Sequence, residues 1–203
     1  KVRAVDNFSW APRGKGYRKK ADSVNGYTHV VESMKHDTLD GFAKLMRELY
    51  QRGKFVPAFF KVDVDSAFRR IPIDPKQRWA CGVAYKYKNQ GERFCFAECG
   101  WLVVQIWWSV HHACPFGATA SVHAWERIGA AICHIGRKLL GIPLMRYVDD
   151  FFAADRLGML SSENVVSLVV RPEVIEHAMN CLARLIRLLL GRNAVAESRL
   201  DCG

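Results

Sequence analysis

Hydrophobic positions change their spacing several times along this chain, and each change predicts an element. Leu39, Phe42, Leu45, Met46 and Leu49 recur at helical spacing between Asp37, a good helix cap, and Gly53, which ends the pattern. That helix is expected to pack on a sheet. The run Phe60-Lys61-Val62-Asp63-Val64 is rich in strand formers and carries an acid. Trp79 to Tyr87 and Arg93 to Phe96 predict a hairpin around Lys88-Asn89-Gln90-Gly91. Val122, Trp125, Ile128, Ile132, Ile135 and Leu139 predict the buried stripe of a helix that opens at Gly117 and stops at Gly141. Two apolar stretches, before Arg146 and from Phe151, then flank Asp149-Asp150. They predict a tight hairpin with the acids at its turn, since Asp tolerates turn dihedrals that β-branched residues do not. A last helix starts at Pro172-Glu173, buries Val174, Ile175, Ala178, Met179, Leu182, Leu185, Ile186 and Leu189, and ends at Gly191.

This mixture of elements, with no internal repeat or low-complexity linker, points to an α+β fold. At 203 residues, 50% of them hydrophobic, the chain is long enough to bury a core and is not a disordered segment. From Cys99 to Trp125 no residue carries a formal charge, and Trp101 to Val110 is strongly apolar. A membrane-crossing helix needs about 20 such residues. Here the run breaks at His111-His112, Pro115 and Gly117, so a buried segment is expected and no membrane partner.

Charge narrows the partners. Lys plus Arg total 30 against 20 Asp plus Glu, a formal charge of +10, as a polyanion-binding protein would carry and as some soluble proteins carry for solubility alone. A Gly-interspersed basic run from Arg13 to Lys20 suits a loop able to contact a nucleic-acid strand, or simply a solvated loop. The 7 cysteines include no C-x-x-C pair and no zinc spacing, and are expected to be reduced thiols of an intracellular protein.

Two adjacent acids at one turn repel each other unless a cation neutralises them. A hard divalent ion with oxygen ligands suits that pair, Mg²⁺ first and Mn²⁺ as the alternative. Asp63 on a neighbouring strand would add a third carboxylate, enough to hold two ions for an in-line phosphoryl displacement. Taken alone, Asp149-Asp150 is also what a solvated turn carries.

Tyr147-Val148-Asp149-Asp150 resembles the Tyr-x-Asp-Asp box of reverse transcriptases, and Asp63 to Phe68, continuing to Asp74, resembles the first catalytic box of the same palm. Cys114-Pro115-Phe116-Gly117-Ala118-Thr119-Ala120-Ser121 is similar to the box that opens the helix under template and nucleotide. The boxes stand in the family's order. The resemblance implies a reverse-transcriptase-like palm over residues 58–74 and 114–203, partial fingers over 1–57 and 75–113, and no thumb. It implies an RNA-directed DNA polymerase acting on an RNA or DNA template with primer and on deoxynucleoside triphosphates. Asp63 and Asp149 would bind both ions with Asp150 assisting, and the Val64 backbone would add a carbonyl. Arg3 would grip the triphosphate, and Phe68 would lie beneath the sugar, excluding a 2′-hydroxyl. Phe116, Gly117 and Tyr147 would complete the nucleotide site.

The chain begins within what resembles a family motif, so it reads as a fragment of a longer retroelement-like protein. Trp101 to Val110 looks like an insertion of about a dozen residues relative to the family's spacing, longer than a typical connection. Translated non-coding sequence is one explanation. The family's lysine after the last helix has no counterpart, since no Lys follows Lys138; Arg199 is the nearest cation, and Arg does not readily release a proton. Two rivals follow: an RNA-templated RNA polymerase, disfavoured by Phe68, and a catalytically inactive remnant that still binds nucleic acid.

Overall fold

The computed structural model describes residues 8–9, 23–31, 33–53, 55–86, 106–159, 169–170, 172–195 and 200–202. Its helices are α1 Val24–Tyr27, α2 Leu39–Gly53, α3 Thr119–Leu139 and α4 Pro172–Leu190. Its strands are β1 Phe55–Asp63, β2 Gly82–Lys86, β3 Ile106–Val110, β4 Leu144–Tyr147, β5 Asp150–Met159, β6 Val169–Val170 and β7 Leu200–Cys202. Mixed helix and antiparallel sheet make this an α+β protein. The chain divides into two compact units, residues 29–70 with 122–203, and residues 1–28 with 71–121.

The first of these units is organised on β1. Phe60 and Val62 are fully buried, and Val64 just beyond the strand is 1% exposed, whereas Lys61 and Asp63 between them are half-exposed. Period-two alternation of this kind gives a strand one dry face and one open one. Strand β5 pairs antiparallel with β1, β4 with β5, β7 with the other edge of β1, and β6 with the far end of β5. Phe151, Ala153 and Leu144 continue the dry face, each 0% exposed. Burying a side chain such as Phe151 contributes about 1.5–3 kcal/mol.

Helix α4 lies against β1 and β5 with Ile175, Leu182, Ala183 and Ile186 buried. Helix α3 approaches β4 through two glycines one heptad apart: a Cβ on Gly136 would lie 2.8 Å from Leu144 Cδ2, and one on Gly129 would lie 2.7 Å from Arg146 Cδ. The expected stripes weaken at the helix ends, where Leu39 (82%), Leu139 (79%) and Leu189 (49%) are exposed. Helix α2 packs on β1 and β5 as expected, and Phe42 meets Phe152 edge-on at 5.3 Å between centroids. Residues 29–57 thus belong with the sheet, and 114–121 fall in the other unit. The α2 cap also differs from expectation. Thr38 Oγ1 accepts from the Gly41 amide at 3.1 Å, while the Asp37 carboxylate accepts from the Arg146 amide at 2.9 Å and Arg137 Nη2 at 3.0 Å. Asp37 serves a tertiary contact because its neighbour does the capping.

In the other unit β2 pairs antiparallel with β3, from Gly82↔Val110 to Lys86↔Ile106. Strand β2 is thus paired with the end of the apolar run; Arg93 to Phe96, the turn at Lys88–Gly91 and Trp101 to Gln105 lie outside the described residues. Trp79 is not in the strand: Asp74 accepts from the Lys76 amide at 2.9 Å and Pro75 opens a 3-10 turn that runs to Cys81, leaving Trp79 82% exposed. A capped Pro start of this kind favours the helical turn over extension. Asn25 ties the start of α3 to α1, accepting from the Thr119 amide at 2.8 Å and donating to the Gly117 carbonyl at 2.9 Å.

Cys81, Cys114, Cys133 and Cys181 are free thiols, and burial pushes Cys133 up to about 11. No helix among the described residues is long and apolar enough to cross a membrane.

Candidate functional site

Strand register brings the acids together. Asp63, the last residue of β1, stands directly opposite Asp150, the first of β5, and Tyr147 at the end of β4 also faces Asp150. Directly opposed residues of an antiparallel pair share a face, with Cβ atoms about 4.5–5.5 Å apart. The face is the half-exposed one that also carries Lys61. Like charges so placed destabilise a sheet. Lys61 relieves part of this repulsion: its Nζ lies 2.9 Å from Asp150 Oδ1, a diagonal reach across the strands. The hydrogen bond to Asp150, opposed by burial and aided by the charges of Asp150, Asp63 and Asp149, holds the Lys61 ammonium above its usual range.

Asp149 sits in the turn, half-buried. Burial pushes its carboxyl up; its own backbone hydrogen bond opposes this, the charges of Asp150 and Asp63 add to it, and Lys61 counters. Asp149, Asp63 and Asp150 therefore feel one another electrostatically. Among the described residues no three His, Cys, Asp or Glu side chains close into a metal-holding group. The donor set itself suits a hard cation: carboxylate oxygens on a half-exposed face, one of them raised chiefly by burial and further by the charges of Asp150 and Asp63.

The turn between β4 and β5 is two residues long, and Val148, not an acid, takes its demanding position. Val148 has φ 55°, which only one other non-glycine among the described residues shares in sign, Ser66 at φ 55°. A β-branched residue there is a genuine outlier, costing about 1–3 kcal/mol. Of the two acids expected at the turn, Asp149 takes its second position and Asp150 opens β5. Positive φ at the first turn position alone is the type II′ pattern, whose twist suits a right-handed hairpin.

Two donors hold the Val148 carbonyl: Trp125 Nε1 at 2.7 Å and Arg146 Nη1 at 3.0 Å. Arg146 is 4% exposed, and its Nη2 lies 2.8 Å from Glu126 Oε1. His36 Nδ1 is 3.8 Å from Glu126 Oε2, and its ring tilts against Tyr147 at 5.4 Å. Sequence reasoning missed Lys61, Glu126 and Arg146 as site residues. The usable signal was Gly129 beside Glu126 in a helix, since a helical glycine facing a strand makes room for a bulky neighbour.

The loop after Asp63 is pinned separately. The Asp65 amide donates to the Ala194 carbonyl at 2.8 Å, and Arg70 bonds the carbonyls of Asp65 (3.0 Å) and Asn193 (2.6 Å). This sets the 3-10 turn Ala67–Arg70, in which Phe68 is 9% exposed and lies edge-on to Trp125 at 6.5 Å. Val64 has its side chain in the core, so only its backbone is free to face a ligand. Tyr147 is 59% exposed. Phe116 and Gly117 occupy the turn before α3 in the other unit, Gly117 at φ 87° and exposed. Arg3 and Arg199 lie outside the described residues.

No known family matches the chain as a whole or in part, and no curated protein matches it.

Proposed function

We propose that the chain is the palm-bearing part of a template-directed nucleotidyltransferase, an RNA-directed DNA polymerase. The observation that carries the reading is the register of β1 against β5, which sets Asp63 across from Asp150 beside the tight turn of Asp149, on the half-exposed face of the sheet. A central strand ending in one acid, next to a hairpin bearing two, is the arrangement the three sequence boxes imply for a polymerase palm. The basic excess of the chain suits a template and primer.

Asp63 and Asp149 would hold Mg²⁺ or Mn²⁺, with Asp150 assisting. When bound, the ions would supply Lewis acidity toward the primer 3′-hydroxyl and charge neutralisation at the departing pyrophosphate. The chain's own residues do the rest. Lys61 keeps Asp150 turned along the sheet face and lowers the local negative charge. Burial beneath the turn keeps the Asp149 carboxyl poorly solvated, so a cation gains more there than at an exposed acid. Phe68, packed on Trp125, presents no hydrogen-bond acceptor to a ribose 2′-hydroxyl, which favours deoxynucleotides.

Primer extension by the full-length protein tests this. Wild type should extend a primed template with deoxynucleotides in preference to ribonucleotides, and Asp149→Asn should abolish extension while leaving template binding nearly unchanged. Equal extension by the two proteins would refute the mechanism. A second reading, a nucleic-acid-binding remnant without catalysis, draws on the Lys61–Asp150 ion pair, which already supplies one acid with a cation. Template binding by wild type without any extension would favour it.

A further inference from the structure

The turn that carries Asp149 is built on a residue unsuited to it, and the groups that hold it lie on the opposite face of the sheet from Lys61. Arg146 pairs across the strands with Phe151 of the dry face, and its guanidinium reaches the Val148 carbonyl and Glu126 at once. Trp125, 1% exposed, spends its only polar atom on the same carbonyl. Asp37 fixes the Arg146 backbone from the side, and Gly129 leaves the space its side chain fills. A buried ion pair is seldom the most stable solution for a core, where apolar residues of the same volume do as well or better. Its retention here coincides with the peptide that leads into Asp149.

We propose that Arg146, held by Glu126, and Trp125 are positioning residues. Together they lock the orientation of the Val148–Asp149 peptide and so set the direction in which the Asp149 carboxylate leaves the turn toward Asp63 and Asp150. Two donors on one carbonyl oxygen prevent the peptide from flipping. Without them the peptide is free to flip, which changes ψ of Val148 and φ of Asp149, converts the turn to another type and swings Asp149 with it. Lysine cannot replace Arg146, because a single ammonium lacks the planar fork that serves Glu126 and the carbonyl together. The inference rests on the nucleotidyl-transfer reading, since it assigns the positioned carboxylate to divalent-ion binding.

The test uses the full-length protein and three variants: Arg146→Lys, the double variant Arg146→Met/Glu126→Gln, which removes both buried charges, and Trp125→Phe, which keeps a ring and removes the N–H. Thermal melting, Mn²⁺ affinity by electron paramagnetic resonance, and kcat and KM for deoxynucleotide are measured on each. Small misplacements of a reacting group cost up to about 100-fold. The Arg146 variants should lose about tenfold in Mn²⁺ affinity and about 10- to 100-fold in kcat, with KM for deoxynucleotide changed less than about twofold. Trp125→Phe should show the same pattern at about three- to tenfold, and it decides the matter if the double variant does not fold. Folded variants that match wild type in Mn²⁺ affinity and kcat overturn the positioning role and leave the polymerase reading intact. A wild type that neither binds Mn²⁺ nor extends a primer overturns both.

Discussion

Gly129→Ala adds one methyl to the middle of α3 and should unfold more than it supports. Alanine is the better helix former by about 1 kcal/mol. The new Cβ, however, would lie 2.7 Å from Arg146 Cδ, 2.8 Å from Nε and 3.0 Å from Cζ, so the guanidinium has to move. Arginine side chains are flexible, but this one is 4% exposed and bonded at both ends of its fork, to Glu126 Oε1 and the Val148 carbonyl. Withdrawal breaks a buried pair, a cost of about 3–5 kcal/mol, and the net loss is about 2–4 kcal/mol. Gly136→Ala, seven residues on, is the control. There the close atom is a single terminal methyl, Leu144 Cδ2 at 2.8 Å, with Cβ and Cγ at 3.7 and 3.9 Å. Overpacking of about 1–3 kcal/mol set against the same helix gain leaves about 0–2 kcal/mol. Urea unfolding read as a shift in midpoint at constant slope measures both. In an Arg146→Ala background the Gly129→Ala methyl meets no guanidinium and the sign should reverse. A Gly129→Ala protein as stable as wild type, or a cost that persists without Arg146, would refute the packing argument.

Asp149 yields a pH-dependent prediction. Its carboxyl is raised in the folded chain, so the native state holds that proton more tightly than the unfolded one, and stability falls as pH rises from the unfolded pKa through the folded pKa and then stays level. Asp149→Asn should therefore be more stable than wild type at neutral pH, with the gain disappearing below about pH 4, where an unfolded Asp is itself protonated; paired urea titrations at neutral and acidic pH decide it, and no gain at neutral pH counts against burial as the cause. Added Mg²⁺ should raise the melting temperature of wild type and not of Asp149→Asn, by linkage of ion binding to folding. Lys61→Met removes the cation from the acid cluster; its ion pair is 45% and 38% exposed on its two sides, so the loss in stability should stay within about 1 kcal/mol while Mn²⁺ affinity rises. Unchanged or weaker Mn²⁺ binding by that variant would show that Lys61 does not compete with the ion for Asp150.

Much of the framework was legible because it rests on period. The alternation of Phe60, Val62 and Val64 fixes which way β1 faces, and since a one-residue slip would turn Asp63 into the core, the same alternation settles that Asp63 lies on the half-exposed face; that it stands across from Asp150 is shown by the pairing of the strands. Helical spacing found α2, α3 and α4, and overreached only at their ends, where Leu39, Leu139 and Leu189 are exposed. In the other unit the pairing of β2 with Ile106–Val110 was not legible, because pairing depends on long-range contacts that local turn chemistry does not encode.

The candidate site was legible only in its acids. Residue preferences assign the strained turn dihedral to Asp, yet Val148 takes it, and the default place for Arg is the surface, yet Arg146 is in the core. These two departures explain each other. A valine at positive φ persists only where its surroundings over-determine it, and a guanidinium enters a core only where every donor direction is answered. The Val148 carbonyl answers one direction of the fork and Glu126 another, while Trp125 supplies the carbonyl's second bond. Each local rule is broken in order to satisfy a contact, and the contact is tertiary, between α3 and the β4–β5 turn. Where propensity fails at two neighbouring positions and one hydrogen-bond network accounts for both, the network, more than either residue, is what a search for function should follow.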